Sequence, residues 1–201
     1  MRSPPFLLAP LLLFAAAARG DGPVPAKDAP LDASYLRLHA ETRGFMLGRP
    51  VRPKPTPDGK FVLFLRAQAK VAKLSLFEFD VAAGKTRELL TPEQLLKGAE
   101  EHLSPEEKAR RERQRVSVGG FTDFQVSPDG KRIIVSLSGK LYLVERETAK
   151  VQELPAGEGV LVDPKFSPDG RAVSYVRNQD VCITGLDDRH ETAVTTGGTE
   201  K

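Results

Sequence analysis

Four arginines fall within six residues, Arg110, Arg111, Arg113 and Arg115 of "RRERQR", and they are the densest group of side chains able to engage a ligand. Guanidinium groups fork onto anions. Glu106, Glu107 and Glu112 interleave with them, so local ion pairs on a solvated helix face account for the run by residue type alone. Anionic lipid or nucleic acid would demand a longer unbroken basic patch, and a formal net charge of +3 points to no nucleic-acid partner. Other chemistry is sparse. The Gly-x-Ser-x-Gly elbow that exposes a nucleophilic serine is absent. "HETAV" (190–194) begins like a zinc-protease helix but carries Val194 where the second histidine ligand is needed, and "GKT" (84–86) has Phe79 where a phosphate loop needs its earlier glycine. His39, His102 and His190 are scattered, and the successive oxygen ligands of a calcium loop are missing, so neither a metal nor a cofactor is expected and no catalytic residue is assigned.

The elements that must position these side chains are repeats. Pro-Asp-Gly occurs at Pro57, Pro128 and Pro168, intervals of 71 and 40 residues. The second interval matches the ~40–45 residues of a four-stranded propeller blade. The first approaches it once an insertion is removed. In a type I turn Pro suits the second position, Asp tolerates the third and Gly suits the fourth, so the motif joins two strands. Five and seven residues after each Pro stand Val62 and Phe64, Ile133 and Val135, Val173 and Tyr175, one face of a strand. A second polar turn recurs 22 residues after Pro128 and Pro168, at Lys150 and His190. Its counterpart Lys85 comes six residues later, which the longer hairpin around "AQAKVAK" (67–73) absorbs. Between the first and second copies the period turns helical. Thr91-Pro92 starts one segment. Ser104-Pro105-Glu106-Glu107 starts another as a capping box in which Ser104 caps and Glu107 reaches back, so one or two helices are predicted within residues 92–115. "DASYLRLHAETRGFMLG" predicts a further short helix capped by Asp32 or Ser34.

Residues 1–20 read as a signal peptide: Arg2, the apolar run Phe6–Ala18, then small residues before a cleavage point at Ala18 or Gly20. Export to the periplasm or the extracellular space is therefore expected, with no integral membrane span after cleavage. Single Cys182 cannot form an intramolecular disulfide, and its β-like surroundings predict a buried, inert thiol. The predicted organisation is an N-terminal extension at 21–50 and, from 51 to 201, an all-β partial propeller of about three four-stranded blades with the helical insertion between the first and second. Three blades do not readily close, and open strand edges invite self-association.

"TRGFMLGRPVRPKPTPDGKFVLFLR" (42–66), "LSPEEKARRERQR" (103–115) and the two Ser-Pro-Asp-Gly units together resemble the N-terminal propeller of bacterial dipeptidyl peptidase IV enzymes. The resemblance implies a propeller followed by an α/β-hydrolase domain with a Ser-Asp-His triad, which removes dipeptides from free N-termini, usually after proline or alanine. The hydrolase domain is expected to lie outside this chain, and so is a paired-glutamate segment that the family places shortly after a stretch like "TTGGTE" (195–200). Peptide is thus the expected partner of a full-length parent, and no activity is expected of this chain alone. "RERQRVSVGGFTDF" (111–124) is similar to the family's arginine segment, where an arginine binds a substrate carbonyl; Arg111, Arg113 and Arg115 are the matching positions. The second hairpin turn departs from the family's common Thr-Gly-Lys, reading Thr148-Ala149-Lys150 and Asp188-Arg189-His190. A free-standing TolB-like periplasmic propeller acting as a protein-interaction module is the alternative expectation.

Overall fold

The computed structural model describes residues 32–199 apart from Gln114, Glu158 and Val160; the signal-peptide expectation lies outside these residues. Three four-stranded antiparallel sheets follow one another, each a meander in which sequential strands are neighbours. The first blade holds β1 (Val51–Pro55), β2 (Phe61–Gln68), β3 (Val71–Asp80) and β4 (Lys85–Leu90). Helices α1 (Ala33–Glu41), α2 (Pro92–Leu96) and α3 (Pro105–Arg113) flank or interrupt the sheets, and a two-residue strand β5 (Gly119–Gly120) adds to β3 in parallel. The second blade is β6 (Phe124–Val126), β7 (Arg132–Leu137), β8 (Lys140–Glu145) and β9 (Val151–Leu154). The third is β10 (Leu161–Phe166), β11 (Ala172–Arg177), β12 (Asp180–Gly185) and β13 (Glu191–Ala193). This is an all-β fold of three propeller blades with the helices where the change of period puts them.

Each Pro-Asp-Gly turn is built the same way. The fourth residue's N–H closes on the first residue's carbonyl at 2.9 Å in all three, Gly59 to Thr56, Gly130 to Ser127 and Gly170 to Ser167. The leading hydroxyl donates to the Asp two residues on, 2.6 Å for Thr56–Asp58 and 2.5 Å for Ser127–Asp129 and Ser167–Asp169. It also accepts the N–H of the first strand residue, Phe61, Arg132 or Ala172, at 2.9–3.1 Å. That hydroxyl bond, joined by a backbone N–H from Lys60, Lys131 or Arg171, holds each aspartate below the usual carboxylate range. Asp is thus a working part of the turn and not merely tolerated there. The turns also touch one another: a Cβ on Gly130 would lie 3.0 Å from Pro57 Cδ, and one on Gly170 would lie 3.5 Å from Pro128 Cδ.

Cores form between blades. Leu63, Leu65 and Leu76 of the first blade meet Ile133, Val135, Tyr142 and Val144 of the second. The opposite face of the second, Ile134, Leu141 and Leu143, meets Val173, Tyr175, Cys182 and Leu186. A middle blade covered on both faces reads as a continuous apolar run, as "RIIVSL" does. Burial pushes the Cys182 thiol up, in keeping with an inert buried side chain. Tyr175, buried beside it, donates or accepts at Thr184 Oγ1 (2.8 Å), and burial pushes its phenol up to about 12.

The six extra residues of the first hairpin lengthen its strands, eight and ten residues for β2 and β3 against six each for β7 and β8. The added end of β3 is where β5 pairs, Lys73 with Gly119 and Leu74 with Gly120. The reciprocal capping box occurs at Thr91–Gln94. At α3 the Glu107 N–H donates to Ser104 Oγ (3.2 Å), but the Glu107 carboxylate faces Arg110 and Arg111 instead of reaching back. Two guanidiniums on the following turn offer it stronger, charge-assisted bonds than the cap's amide.

Where the family pattern has glycine in the second hairpin turn, Ala149 and Arg189 keep the same left-handed backbone, φ 55° and 54° against 64° at Gly84. A Cβ there costs ~1 kcal/mol. Ala149→Gly and Arg189→Gly are each expected to raise stability by about 1 kcal/mol, read as an upward shift of the urea midpoint at unchanged slope. An unchanged or lower midpoint contradicts the strain.

Candidate functional site

The helical insertion returns to the blades over a cleft. Ser104 caps α3, and Glu107, one turn in, grips two arginines: Arg110 through Nε and Nη2 at 2.8 and 3.0 Å, and Arg111 through Nε at 2.9 Å. Desolvation on its own would raise Glu107, yet the hydrogen bonds from Arg110 and Arg111 hold its carboxyl below its ordinary range. The same bond raises Arg110. Arg111 is buried. Its Nη2 also donates to Glu101 Oε1 (2.7 Å) and to the Gly120 carbonyl (3.4 Å), while Glu101 Oε2 accepts the Gly120 N–H at 2.8 Å. One salt-bridged cluster therefore ties α3, the segment before it and β5 together.

Of the arginines expected to matter, Arg111 is turned into this cluster, whereas Arg113 and Arg115 are exposed, Arg115 at φ 54° where the chain leaves the helix. Two adjoining cavities of about 270 and 310 Å³ lie under α3 and share Thr122, Ser136 and Leu161. Arg111 lines the first with His102, Ser104, Glu107 and Ser138. Arg110 lines the second with Arg52, Asp123, Phe124 and Asp163. Arg113 and Arg115 line neither.

The second cavity is assembled from equivalent places in the three repeats. Arg52, Asp123 and Asp163 each stand four residues before the hydroxyl of their blade's Pro-Asp-Gly turn. Arg52 and Asp163 occupy matching "VRPK" and "VDPK" segments at register breaks in β1 and β10, both with left-handed backbone, φ 52° and 53°. Bulges that re-aim a side chain, and non-glycine residues held at positive φ, concentrate at functional sites. Asp123 faces Lys54 Nζ at 3.3 Å and Arg52 Nη1 at 3.9 Å; Lys54 Nζ also donates to the Phe124 carbonyl and lies 4.7 Å from the Phe124 ring centroid. Arg52 and Asp163 carry no expectation from the sequence, and Arg110, part of the arginine run, lies outside the positions matched to the family's arginine segment. The Val-x-Pro-Lys repeat ahead of two turns is the signal that points to two of them. The cleft offers guanidiniums, carboxylates and hydroxyls beside an apolar wall, an arrangement for holding a polar chain molecule. Among the described residues no group of three or more His, Cys, Asp or Glu converges to hold a metal ion.

Residues 127–201 match the family model described as the dipeptidyl peptidase IV (DPP IV) N-terminal region. Among solved structures, the chain is similar to dipeptidyl peptidase 4 of Porphyromonas gingivalis, with 22% identity and a TM-score of 0.50 over 85% of this chain and 22% of that one. It is also similar to TolB of Acinetobacter baumannii, with 16% identity and a TM-score of 0.50 over 75% of this chain and 33% of that one. The chain thus spans a third or less of the length of these structures, and at such identity the likeness carries the fold. The match runs from the second blade's Ser-Pro-Asp-Gly turn through the third blade, so residues 127–201 are similar to the dipeptidyl peptidase IV N-terminal region.

Proposed function

We propose that this chain is the N-terminal propeller portion of an exported serine exopeptidase of the dipeptidyl peptidase IV kind, and that its cleft helps to position peptide substrate. Bond cleavage belongs to an α/β-hydrolase domain outside these 201 residues. The observation that carries the reading is the arginine-bearing helix α3 standing over a cleft built from the first strands of the blades. Support for export comes from the Arg2–Ala18 leader in the sequence. Arg110 and Arg111, both fixed by Glu107, are the guanidiniums that this reading assigns to the cleft wall. Incubated with alanyl-prolyl-p-nitroanilide, the purified chain is expected to release no p-nitroaniline. Release that a serine-directed fluorophosphonate blocks would overturn the division of labour.

The likeness to TolB favours one second reading, a periplasmic propeller that acts as an interaction module. Under it, Ala-Pro-amide leaves the amide resonances of Thr122 and Phe124 unmoved. Under the peptidase reading, it shifts them.

A further inference from the structure

The second cavity carries a charge imbalance that points to a ligand. Asp163 is matched by Lys165 of its own strand at 2.9 Å, and Arg110 by Glu107. Around Asp123, in contrast, two cations, Arg52 and Lys54, share one carboxylate. The Arg52 contact is the long one, 3.9 Å, and among the described residues Arg52 makes no shorter ion pair. Its side chain is 45% exposed, so the guanidinium is open to solvent.

Arg52 is also held at φ 52° ahead of Pro53, at the break between the pairs Val51–Leu65 and Lys54–Leu63. The backbone adopts an unfavourable conformation there, and the residue so placed lines the cleft. Its equivalents from the other two blades, Asp123 and Asp163, are anionic. The one cationic member of the set is therefore the member with least compensation. Phe124, Ile134 and Pro164 line the same cavity.

We propose that Arg52 receives a peptide carboxylate, so that the cleft prefers peptides bearing an acidic group near the bound segment; this rests on reading the cleft as a peptide site. A planar carboxylate matches the guanidinium fork two bonds at a time, and Lys54 adds a second positive charge behind it. An acidic side chain and a free C-terminus supply the same group, and the two sources are separable by blocking one at a time.

The test titrates the purified chain with three probes followed by calorimetry and by the Thr122 and Phe124 amide resonances: Ala-Pro-Glu-amide, Ala-Pro-Ala with a free C-terminus, and Ala-Pro-Ala-amide. At least one carboxylate probe is expected to bind about tenfold more tightly than the neutral amide, and which one does so identifies the source. Arg52→Gln is expected to abolish that preference, bringing the carboxylate probe down to the affinity that the same variant shows for the neutral amide; Arg52→Lys retains part of it. Equal binding of all three probes, or a preference that survives Arg52→Gln, overturns the assignment and leaves the peptide reading standing. No binding by any probe overturns both.

Discussion

Arg146→Ala is expected to destabilise the chain by about 3–5 kcal/mol, a large part of the stability of a domain this size. Arg146 reaches from the second blade to the first, pairing through Nη1 with Glu78 Oε2 at 2.8 Å, and both side chains are buried. Its Nε donates to the Gly130 carbonyl at 2.7 Å, and its guanidinium lies 4.3 Å from the Phe61 ring centroid. Removal leaves the Glu78 carboxylate buried against Arg87 alone, a half-exposed partner 2.8 Å away. The next interface shows how the loss can be recovered. Counting from the second hairpin turn, Leu143 and Leu186 are the repeat equivalents of Glu78 and Arg146, and both lie in the apolar core between the second and third blades. The double variant Glu78→Leu with Arg146→Leu is therefore expected to lose far less than either single change, since desolvation of two charges is removed together with their attraction. Urea denaturation of the four proteins in the cycle decides it: additive losses would mean that the pair is not coupled.

Gly120→Ala is expected to destabilise by about 2–4 kcal/mol, from left-handed strain plus overpacking. Gly120 sits at φ 78°, and a Cβ there would lie 2.4 Å from the Leu74 carbonyl oxygen and 2.9 Å from Leu74 N, backbone atoms that cannot give way without opening β3. Displacing β5 would draw Phe121, fully buried next to it, out of the first inter-blade core, and would break the Glu101 contact that fastens α3. Faster tryptic cleavage within residues 110–115 should accompany the lower urea midpoint. Gly119→Ala is the milder comparison: a Cβ there would meet a side-chain oxygen, Glu101 Oε2 at 2.9 Å, so it strains the Glu101–Gly120 contact without pressing on the backbone of β3. Equal effects at the two positions would contradict the backbone explanation.

The blades were legible in the sequence because their signals are local. A Pro-Asp-Gly turn is closed by atoms within six residues, and the strand after it alternates on its own. The insertion was legible for the same reason, through its caps and change of period. The Glu78–Arg146 pair was not. It spans 68 residues, and nothing near either residue reports that the other is opposite. The face of α3 was hidden differently: its nine residues, "PEEKARRER", hold a single apolar side chain besides the proline, so no hydrophobic stripe says which arginine turns inward. Glu107 holds both Arg110 and Arg111 within the helix, but the burial of Arg111 comes from Glu101 and Gly120, partners brought to it by the segment before α3 and by β5. The bulges at Arg52 and Asp163 left a trace, the repeated Val-x-Pro-Lys, whose meaning depends on pairing with β2 and β11.

The contact of each Pro-Asp-Gly turn with its predecessor, Gly130 on Pro57 and Gly170 on Pro128, is head-to-tail: the glycine end of one copy meets the proline end of the copy before. Every copy carries both halves of the joint. A tandem duplication of such a unit arrives with its docking surface already matched, so blade number can change by gene duplication without a new interface having to evolve first.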